Sequence, residues 1–316
     1  VVIGPTVAII GLSLAGNAVH DLQISSLTEE NTQFAVLVGL IALFATMLSS
    51  SFGKRLARMI PFIIGILSGY TVAAIFTIIG ITIDYAPLQI LNFEPLRELF
   101  LQGFTLSSLF KIPDFTFLFT KNSWSSLTPS YISTVAVSYI PVAFVVFAEH
   151  IADHKNISYI IGKDLLKDPG LDKTLMGDGV GSIIGAIFGG CPNTTYGESV
   201  ACVAITRNAS VATIITAAFE CILISFLAPF VAFISSIPAC VMGGVCMALY
   251  GFIAVSGLKM IQNVDLDSNK NLYVVSTILI AGIGGLSLTF GNVTITSIAT
   301  ALILGIIINK VLSKTV

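Results

Sequence analysis

The sequence predicts an all-α polytopic membrane protein. Of its 316 residues, 55% are hydrophobic and only 10% are charged, and the mean hydropathy is +0.96. Soluble domains carry about 25% charged residues, so a soluble fold of this length would have too little polar surface. Apolar stretches recur along the whole chain, and about 20 helical residues suffice to cross a ~30 Å hydrocarbon core.

Ten stretches qualify as candidate spans, and a long connection separates the third from the fourth. This connection, residues 83–130, contains four prolines among scattered apolar residues, so we predict an interfacial loop with one amphipathic piece at 96–110. The candidate spans are residues 1–20, 32–50, 59–82, 131–152, 174–189, 197–208, 209–234, 238–260, 271–289 and 293–311.

The distribution of basic residues predicts the orientation of these spans. Of the 15 lysines and arginines, all but three fall in the connections on one side of the membrane, which we therefore take as the inner side. The three others, Arg97, Lys111 and Lys121, lie in the 83–130 connection. Long connections obey the positive-inside rule least, so this one is predicted to be extracellular.

Composition also excludes several classes of function. A net charge of −2 offers no basic surface to nucleic acid. The chain has no HExxH, no GxSxG and no nucleophile–base pair at membrane depth, so we expect neither an enzyme nor a metal or organic cofactor. The cysteines show no CxxC spacing and are expected to be small buried hydrophobic residues. They are Cys191, Cys202, Cys221, Cys240 and Cys246.

An interrupted stretch at 189–198 reads Gly-Gly-Cys-Pro-Asn-Thr-Thr-Tyr-Gly-Glu. Pro192 breaks a helix, and the residues after it favour an extended chain. We predict a short extended segment near 192–197, followed by a half-helix that Glu198 opens. Such irregular backbone is tolerated at membrane depth only where it is buried in protein or lines a cavity, and it marks binding sites in secondary transporters.

Acidic residues inside spans are costly and therefore indicate function. Glu149 and Asp153 are four residues apart and share a helix face, with His150 and His154 on the neighbouring face. A solvated helix end running into the next loop is the alternative for these residues. Glu198 would cap the half-helix, where free backbone N–H groups also suit a ligand carbonyl.

Two other acids receive different interpretations. Asp178 lies near the inner end of the 174–189 span, so we favour a helix-end or loop role over a role in substrate binding. Glu220 lies deep in an apolar run and is expected to face the protein interior, where its partner is not evident from the sequence.

These motifs resemble bacterial uracil permeases of the nucleobase–cation symporter-2 (nucleobase–ascorbate transporter) family. The similarity runs along nearly the whole chain, and Asn-Thr-Thr-Tyr-Gly-Glu is its most specific motif. The segments that carry the resemblance are Asn193 to Glu198, Ala148-Glu149-His150, Lys-Asp-Leu-Leu-Lys-Asp-Pro-Gly-Leu at 163–171, and Ile237-Pro238 with Val-Met-Gly-Gly-Val at 241–245.

The resemblance implies a fold of 14 spans in two inverted seven-span repeats, arranged as a core and a gate domain. The chain would start at the fifth span and contain spans 5–14, which agrees with the ten spans counted above. We therefore expect an N-terminally truncated chain that does not transport alone. The implied domains are residues 1–82, gate helices (spans 5–7); 83–130, the extracellular loop; 131–235, core helices (spans 8–11); and 236–316, gate helices (spans 12–14).

The resemblance further implies uracil:proton symport by a multi-pass protein of the bacterial inner membrane, in contact with lipid and paired as a homodimer. Glu149 and Glu198 would hydrogen-bond the base, and Tyr196 and Gly197 would supply backbone contacts. Carboxylates accept hydrogen bonds and so complement the N–H donors of uracil. No cofactor is implied, and the coupling ion would be a proton.

The resemblance does not assign one proton-coupling residue, because the family's histidine one turn after the first glutamate is replaced here by Asp153, with His154 next to it. Asp153, His154 and Glu149 are therefore all candidates. A second departure is Ser199, where purine carriers of the family usually have asparagine, and it favours a pyrimidine substrate. A purine or xanthine permease of this family and an anion transporter of related architecture are the alternatives, although two acids suit an anion poorly.

Overall fold

The computed structural model describes the chain except residues 26–32, 102, 104, 113–126, 192, 197–198, 201–202, 204–207, 291–292 and 314–316. The described residues are predominantly helical, with one two-stranded hairpin. The helices are α1 (Ile3–Ser13), α2 (Ala15–Gln23), α3 (Gln33–Phe52), α4 (Arg55–Met59), α5 (Pro61–Thr82), α6 (Glu94–Phe100), α7 (Leu106–Leu109), α8 (Pro129–Ile161), α9 (Leu171–Ile187), α10 (Val211–Ile224), α11 (Ala228–Ser236), α12 (Ala239–Ile261), α13 (Asn269–Ile283) and α14 (Ser297–Leu312); the strands are β1 (Leu288–Phe290) and β2 (Val293–Ile295).

Five helical stretches within the described residues are long and apolar enough to cross a membrane. They confirm the prediction of an all-α membrane protein and are Ile3–Gln23, Gln33–Phe52, Pro61–Thr82, Pro129–Lys155 and Ala239–Ile261.

Other predicted spans are shorter than expected. The 209–234 stretch divides into α10 and α11, and Pro229 stands in the first turn of α11. The predicted spans 271–289 and 293–311 both lose residues to the β1–β2 hairpin, whose antiparallel register pairs Leu288 with Ile295. Hydrophobicity identified these stretches, but it does not distinguish a short strand from a helix end.

The chain forms two compact units, and the predicted gate and core boundaries stay a prediction. The first unit comprises residues 1–14, 115–204 and 250–316. In this unit α1, α13 and α14 pack together, and α8 contacts α14. Its core residues are Ile9, Val274, Ile278, Ala281 and Ala301 in one cluster and Val145, Ala299 and Leu302 in another.

The second unit comprises residues 15–114 and 205–249. The pair α3 and α5 packs with the first part of α12, and small residues allow the backbones to approach closely. The hydroxyl of Thr77 accepts hydrogen bonds from the N–H groups of Ile90 and Leu91, at 3.0 and 2.9 Å, and so holds the start of the 83–130 connection against α5.

The amphipathic piece predicted at 96–110 is two short helices, α6 and α7. The chain turns between them at Gly103, whose φ of +82° is readily available only to glycine. The backbone N–H of Thr105 then donates to the Ser108 hydroxyl at 3.3 Å, at the start of α7. The sequence period indicated a helix but missed this break.

One expectation about burial is wrong, and a second is confirmed only in part. Glu220 is exposed, because α10 buries none of its residues within the described structure. Among the cysteines, Cys240 is buried and Cys246 half-buried, whereas Cys191 and Cys221 are exposed and Cys202 lies outside the described residues. An apolar run indicates membrane depth, but it does not indicate which neighbour covers each face.

Candidate functional site

The candidate acids lie in the interior of a long helix. Helix α8 begins at Pro129, where the Thr128 hydroxyl accepts a hydrogen bond from the Tyr131 N–H at 3.2 Å, and it ends at Gly162 with a φ of +69°. It continues nine residues beyond the predicted end of the span at 152. Glu149, Asp153 and His154 are half-buried in this helix, so the alternative of a solvated helix end is wrong.

His150 is the centre of a buried polar cluster in the first unit. It is 1% exposed. Its Nε2 lies 2.9 Å from the Thr174 hydroxyl, and its Nδ1 lies 3.4 Å from Asp178 Oδ2. The His154 ring stacks on it with centroids 4.0 Å apart, and His154 Nδ1 donates to the His150 carbonyl at 2.9 Å. The prediction that the two histidines share a face is confirmed.

Asp178 is not at a helix end. Helix α9 begins at Leu171, after Gly170 with its φ of +102°, and Asp178 therefore lies two turns inside it. The Asp178 side chain is 16% exposed and faces His150. The predicted helix-end role is wrong because Pro169 and Gly170 place the helix start three residues earlier than the apolar pattern indicated.

One face of α9 carries polar side chains at intervals of four, Thr174, Asp178 and Ser182. The first two contact His150. The Ser182 hydroxyl donates to the carbonyl of Asn193 at 3.0 Å and also contacts the side-chain oxygen of Asn193. Helix α9 therefore contacts α8 through Thr174 and Asp178, and it contacts the segment that follows Pro192 through Ser182.

The predicted interrupted segment is partly within the described structure. Residues Asn193–Tyr196 are non-helical, and the N–H of Ser199 donates to the Tyr196 carbonyl at 3.0 Å as the chain enters a helical conformation. Tyr196 is 64% exposed. Gly197 and Glu198, the other two predicted binding residues of this segment, lie outside the described residues.

Sequence reasoning missed Thr174, Ser182 and Thr195. The hydroxyl oxygen of Thr195 is buried and has no hydrogen-bond partner in the described part of the chain, which is unusual for a buried polar atom. The four-residue polar spacing of α9 was the signal that could have found Thr174 and Ser182. Within the described residues, no group of three or more His, Cys, Asp or Glu side chains could hold a metal ion.

Apolar helices of membrane-spanning length, with a buried polar cluster between two helices, define an integral membrane protein. Residues 1–291 match the Permease family (Xan_ur_permease). The uracil permease of Bacillus subtilis (strain 168) is 35% identical over 99% of this chain and 68% of its own length. The probable uracil permease of Haemophilus influenzae is 34% identical over 99% of this chain and 69% of its own length, and the uracil permease of Escherichia coli (strain K12) is 33% identical over 96% and 64%.

The chain therefore belongs to this permease family. It is an integral membrane transporter and not an enzyme. It spans about two thirds of the length of these relatives.

Proposed function

We propose that this protein is a uracil:proton symporter, multi-pass in the bacterial plasma membrane. The observation that carries the proposal is a sequence identity of 33–35%, over nearly the whole chain, to two uracil permeases and one probable uracil permease. A putative pyrimidine permease, RutG of Escherichia coli, is 29% identical over 99% of the chain. The aligned part includes both α8 and the segment after Pro192.

The chemistry of the site fits a pyrimidine dione. Uracil presents two N–H donors and two carbonyl acceptors on a flat ring. Glu149 and Glu198 supply carboxylates that accept from N–H groups, and the backbone N–H groups of Tyr196 and Gly197 donate to carbonyls. The buried Thr195 hydroxyl, which lacks a partner in the described structure, adds a donor beside Tyr196.

The proposed coupling residues belong to α8. Glu149, Asp153 and His154 lie within one and a half turns of each other, half-buried in a helix that crosses the membrane. Titratable side chains inside a membrane span are costly, so a group that binds a proton on one side and releases it on the other would couple uracil movement to the proton gradient. No cofactor is proposed, and the coupling ion is a proton.

The proposed architecture is the family's 14-span fold of two inverted repeats, with residues 1–82 and 236–316 in the gate domain, 131–235 in the core domain and 83–130 outside. Large apolar side chains are exposed on many helices, for example Phe44 at 55% and Ile280 at 74%, and such surfaces suit lipid. A homodimer is part of the same proposal.

Uptake of radiolabelled uracil tests the function directly. The chain is produced in bacteria lacking their own uracil uptake, both alone and completed by the third of the Bacillus subtilis relative that it does not match. We expect the completed protein to accumulate uracil, faster at acidic than at neutral pH, and unlabelled xanthine not to compete. Uptake of radiolabelled xanthine but not of radiolabelled uracil would move the substrate to the purines, and uptake independent of pH and of a protonophore would contradict symport.

Ser182→Ala tests whether α9 positions the binding segment. The hydrogen bond to the Asn193 carbonyl contributes about 1 kcal/mol to holding this segment in place. Without it, we expect KM for uracil to rise about five-fold with little change in maximal rate. Ser276→Ala, at an exposed serine of α13, serves as the matched control. An unchanged KM in Ser182→Ala would show that the tether has no part in binding.

A further inference from the structure

His150 has a hydrogen-bond partner at Nε2 and a carboxylate 3.4 Å from Nδ1, although it lies inside a membrane-crossing helix. Thr174 faces Nε2 and Asp178 faces Nδ1, and both partners belong to α9. The Thr174 hydroxyl also donates to the Leu171 carbonyl at 3.2 Å. His150, Thr174 and Asp178 can adopt two arrangements, which differ by one proton.

With one additional proton, the cluster is an ion pair. A hydroxyl has a single proton, and if Thr174 gives it to the Leu171 carbonyl, then His150 Nε2 must be the donor to the Thr174 oxygen. Nδ1 then also carries a proton and faces the Asp178 carboxylate at 3.4 Å, an ion-pair contact and not a hydrogen bond. This state is an imidazolium paired with a carboxylate, which together carry no net charge.

Without that proton, the cluster needs one rotation. Neutral His150 keeps its proton on Nδ1, which faces the Asp178 carboxylate at 3.4 Å without a hydrogen bond. The Thr174 hydroxyl turns from the Leu171 carbonyl towards Nε2 and donates there. Thr174 therefore acts as an acceptor in one state and a donor in the other, so proton loss leaves Nε2 with a partner.

We propose that His150, between Thr174 and Asp178, is a reversible proton-binding site of this protein and takes part in proton coupling beside the coupling candidates of the same helix. The inference rests on the proposed symport for its role in transport, although not for proton binding itself. It places the proton one residue from Glu149 on the chain, so that proton occupancy and substrate binding act on the same turn of α8.

The charged groups around His150 favour a single proton. On α8, His154 stacks on the His150 ring and donates its Nδ1 proton to the His150 carbonyl. A positive charge on His154 would therefore be repelled by a protonated His150. On α9, Asp178 faces the ring, whereas Asp172 and Lys173 are exposed.

Among the residues that the structure describes, the other elements packed against α8 contribute no titratable side chain to this cluster. Residues Ile3–Ser13 of α1 and Val293–Ile295 of β2 contain none, and Lys310 of α14 is exposed. In the single turn at Leu166–Gly170, Lys167 pairs with Asp164 at 3.5 Å and Asp168 with Lys163 at 2.9 Å, all on exposed side chains.

The chain has three histidines, which makes a direct test feasible. Protein labelled with ¹⁵N only in histidine is reconstituted in lipid nanodiscs, and the ring nitrogens are followed by NMR from acidic to basic pH. His20→Gln and His154→Gln variants assign the His150 signals. We expect both His150 nitrogens to be protonated at acidic pH, and Nε2 alone to lose its proton reversibly as the pH rises.

Three variants link that signal to transport. Asp178→Asn removes the anion that balances the imidazolium, and Thr174→Val removes the reversible hydroxyl, so each should shift the pH profile of uptake towards acid by about one unit or more. Thr174→Ser keeps the hydroxyl and should behave as the native protein. Thermal unfolding of each variant separates these shifts from loss of fold.

The outcomes separate this inference from the proposed function. A His150 signal that stays in one protonation state while uptake changes with pH would overturn the inference, and so would Asp178→Asn and Thr174→Val variants with the native pH profile. Reversible titration of His150 in a protein that moves no uracil would leave the proton site intact and refute the proposed function.

Discussion

Glu149→Gln lowers kcat/KM for uracil uptake about 100-fold, whereas Glu94→Gln leaves it unchanged. In the proposed site the Glu149 carboxylate accepts a charge-assisted hydrogen bond from a uracil N–H. A glutamine of the same shape keeps a weaker acceptor but presents an N–H₂ group to the other N–H. The loss is on the order of 3 kcal/mol, the upper range for a hydrogen bond to a charged group.

Glu94 is a suitable control because it is the same residue type in an ordinary surface setting. It opens α6, its side chain is 60% exposed, and it pairs with Arg97 at 3.5 Å. An exposed pair of this kind contributes little to stability. Any effect shared by both variants would therefore reflect expression or membrane insertion rather than the site.

Binding and coupling can be separated in the same variant. Uracil binding to purified Glu149→Gln protein, measured by calorimetry, should be weakened to about the same degree as uptake if the carboxylate contacts the base. Normal binding combined with uptake that no longer responds to pH would instead assign Glu149 to the proton. Native binding and native uptake together would remove Glu149 from the site.

Gly244→Ala destabilises the protein by about 1–3 kcal/mol, because there is no room for a methyl group at this position. A Cβ at Gly244 would overlap the carbonyl oxygen of Gly39 on α3, and it would lie 2.7 Å from the Gly39 carbonyl carbon and 3.1 Å from its Cα. These are backbone atoms, which cannot move aside as a flexible side chain would. Helices α3 and α12 would have to separate.

Gly251→Ala is the matched control, since it adds the same methyl group to the same helix. A Cβ at Gly251 meets no atom within 4 Å. We expect this variant to be as stable as the native protein or slightly more stable, because alanine favours a helix over glycine. Thermal unfolding in detergent, followed by circular dichroism, compares the two; equal stability of both variants would show that α3 and α12 are not in close contact.

The sequence was enough to identify the family, whereas it could only predict the roles of the individual site residues. The Ala148-Glu149-His150 and Asn193 to Glu198 motifs led to the permease family, which the comparisons confirm. The four-residue spacing of α8 correctly placed the two histidines next to each other. The roles of Glu149, Asp153, Tyr196, Gly197 and Glu198 stay predictions, since a motif shows which residues recur but not what they contact.

The sequence by itself determined the class of fold, because a chain with so few charges and such long apolar runs has membrane helices as its only economical way to satisfy its backbone. Tertiary structure decided where α8 and α9 begin and end, that Asp178 meets His150, and that Glu220 is exposed. Each of these depends on contacts between helices that are separated along the chain. Hydrophobic periodicity encodes how deep a residue lies and on which face, whereas the identity of the group opposite it is set only when the helices pack.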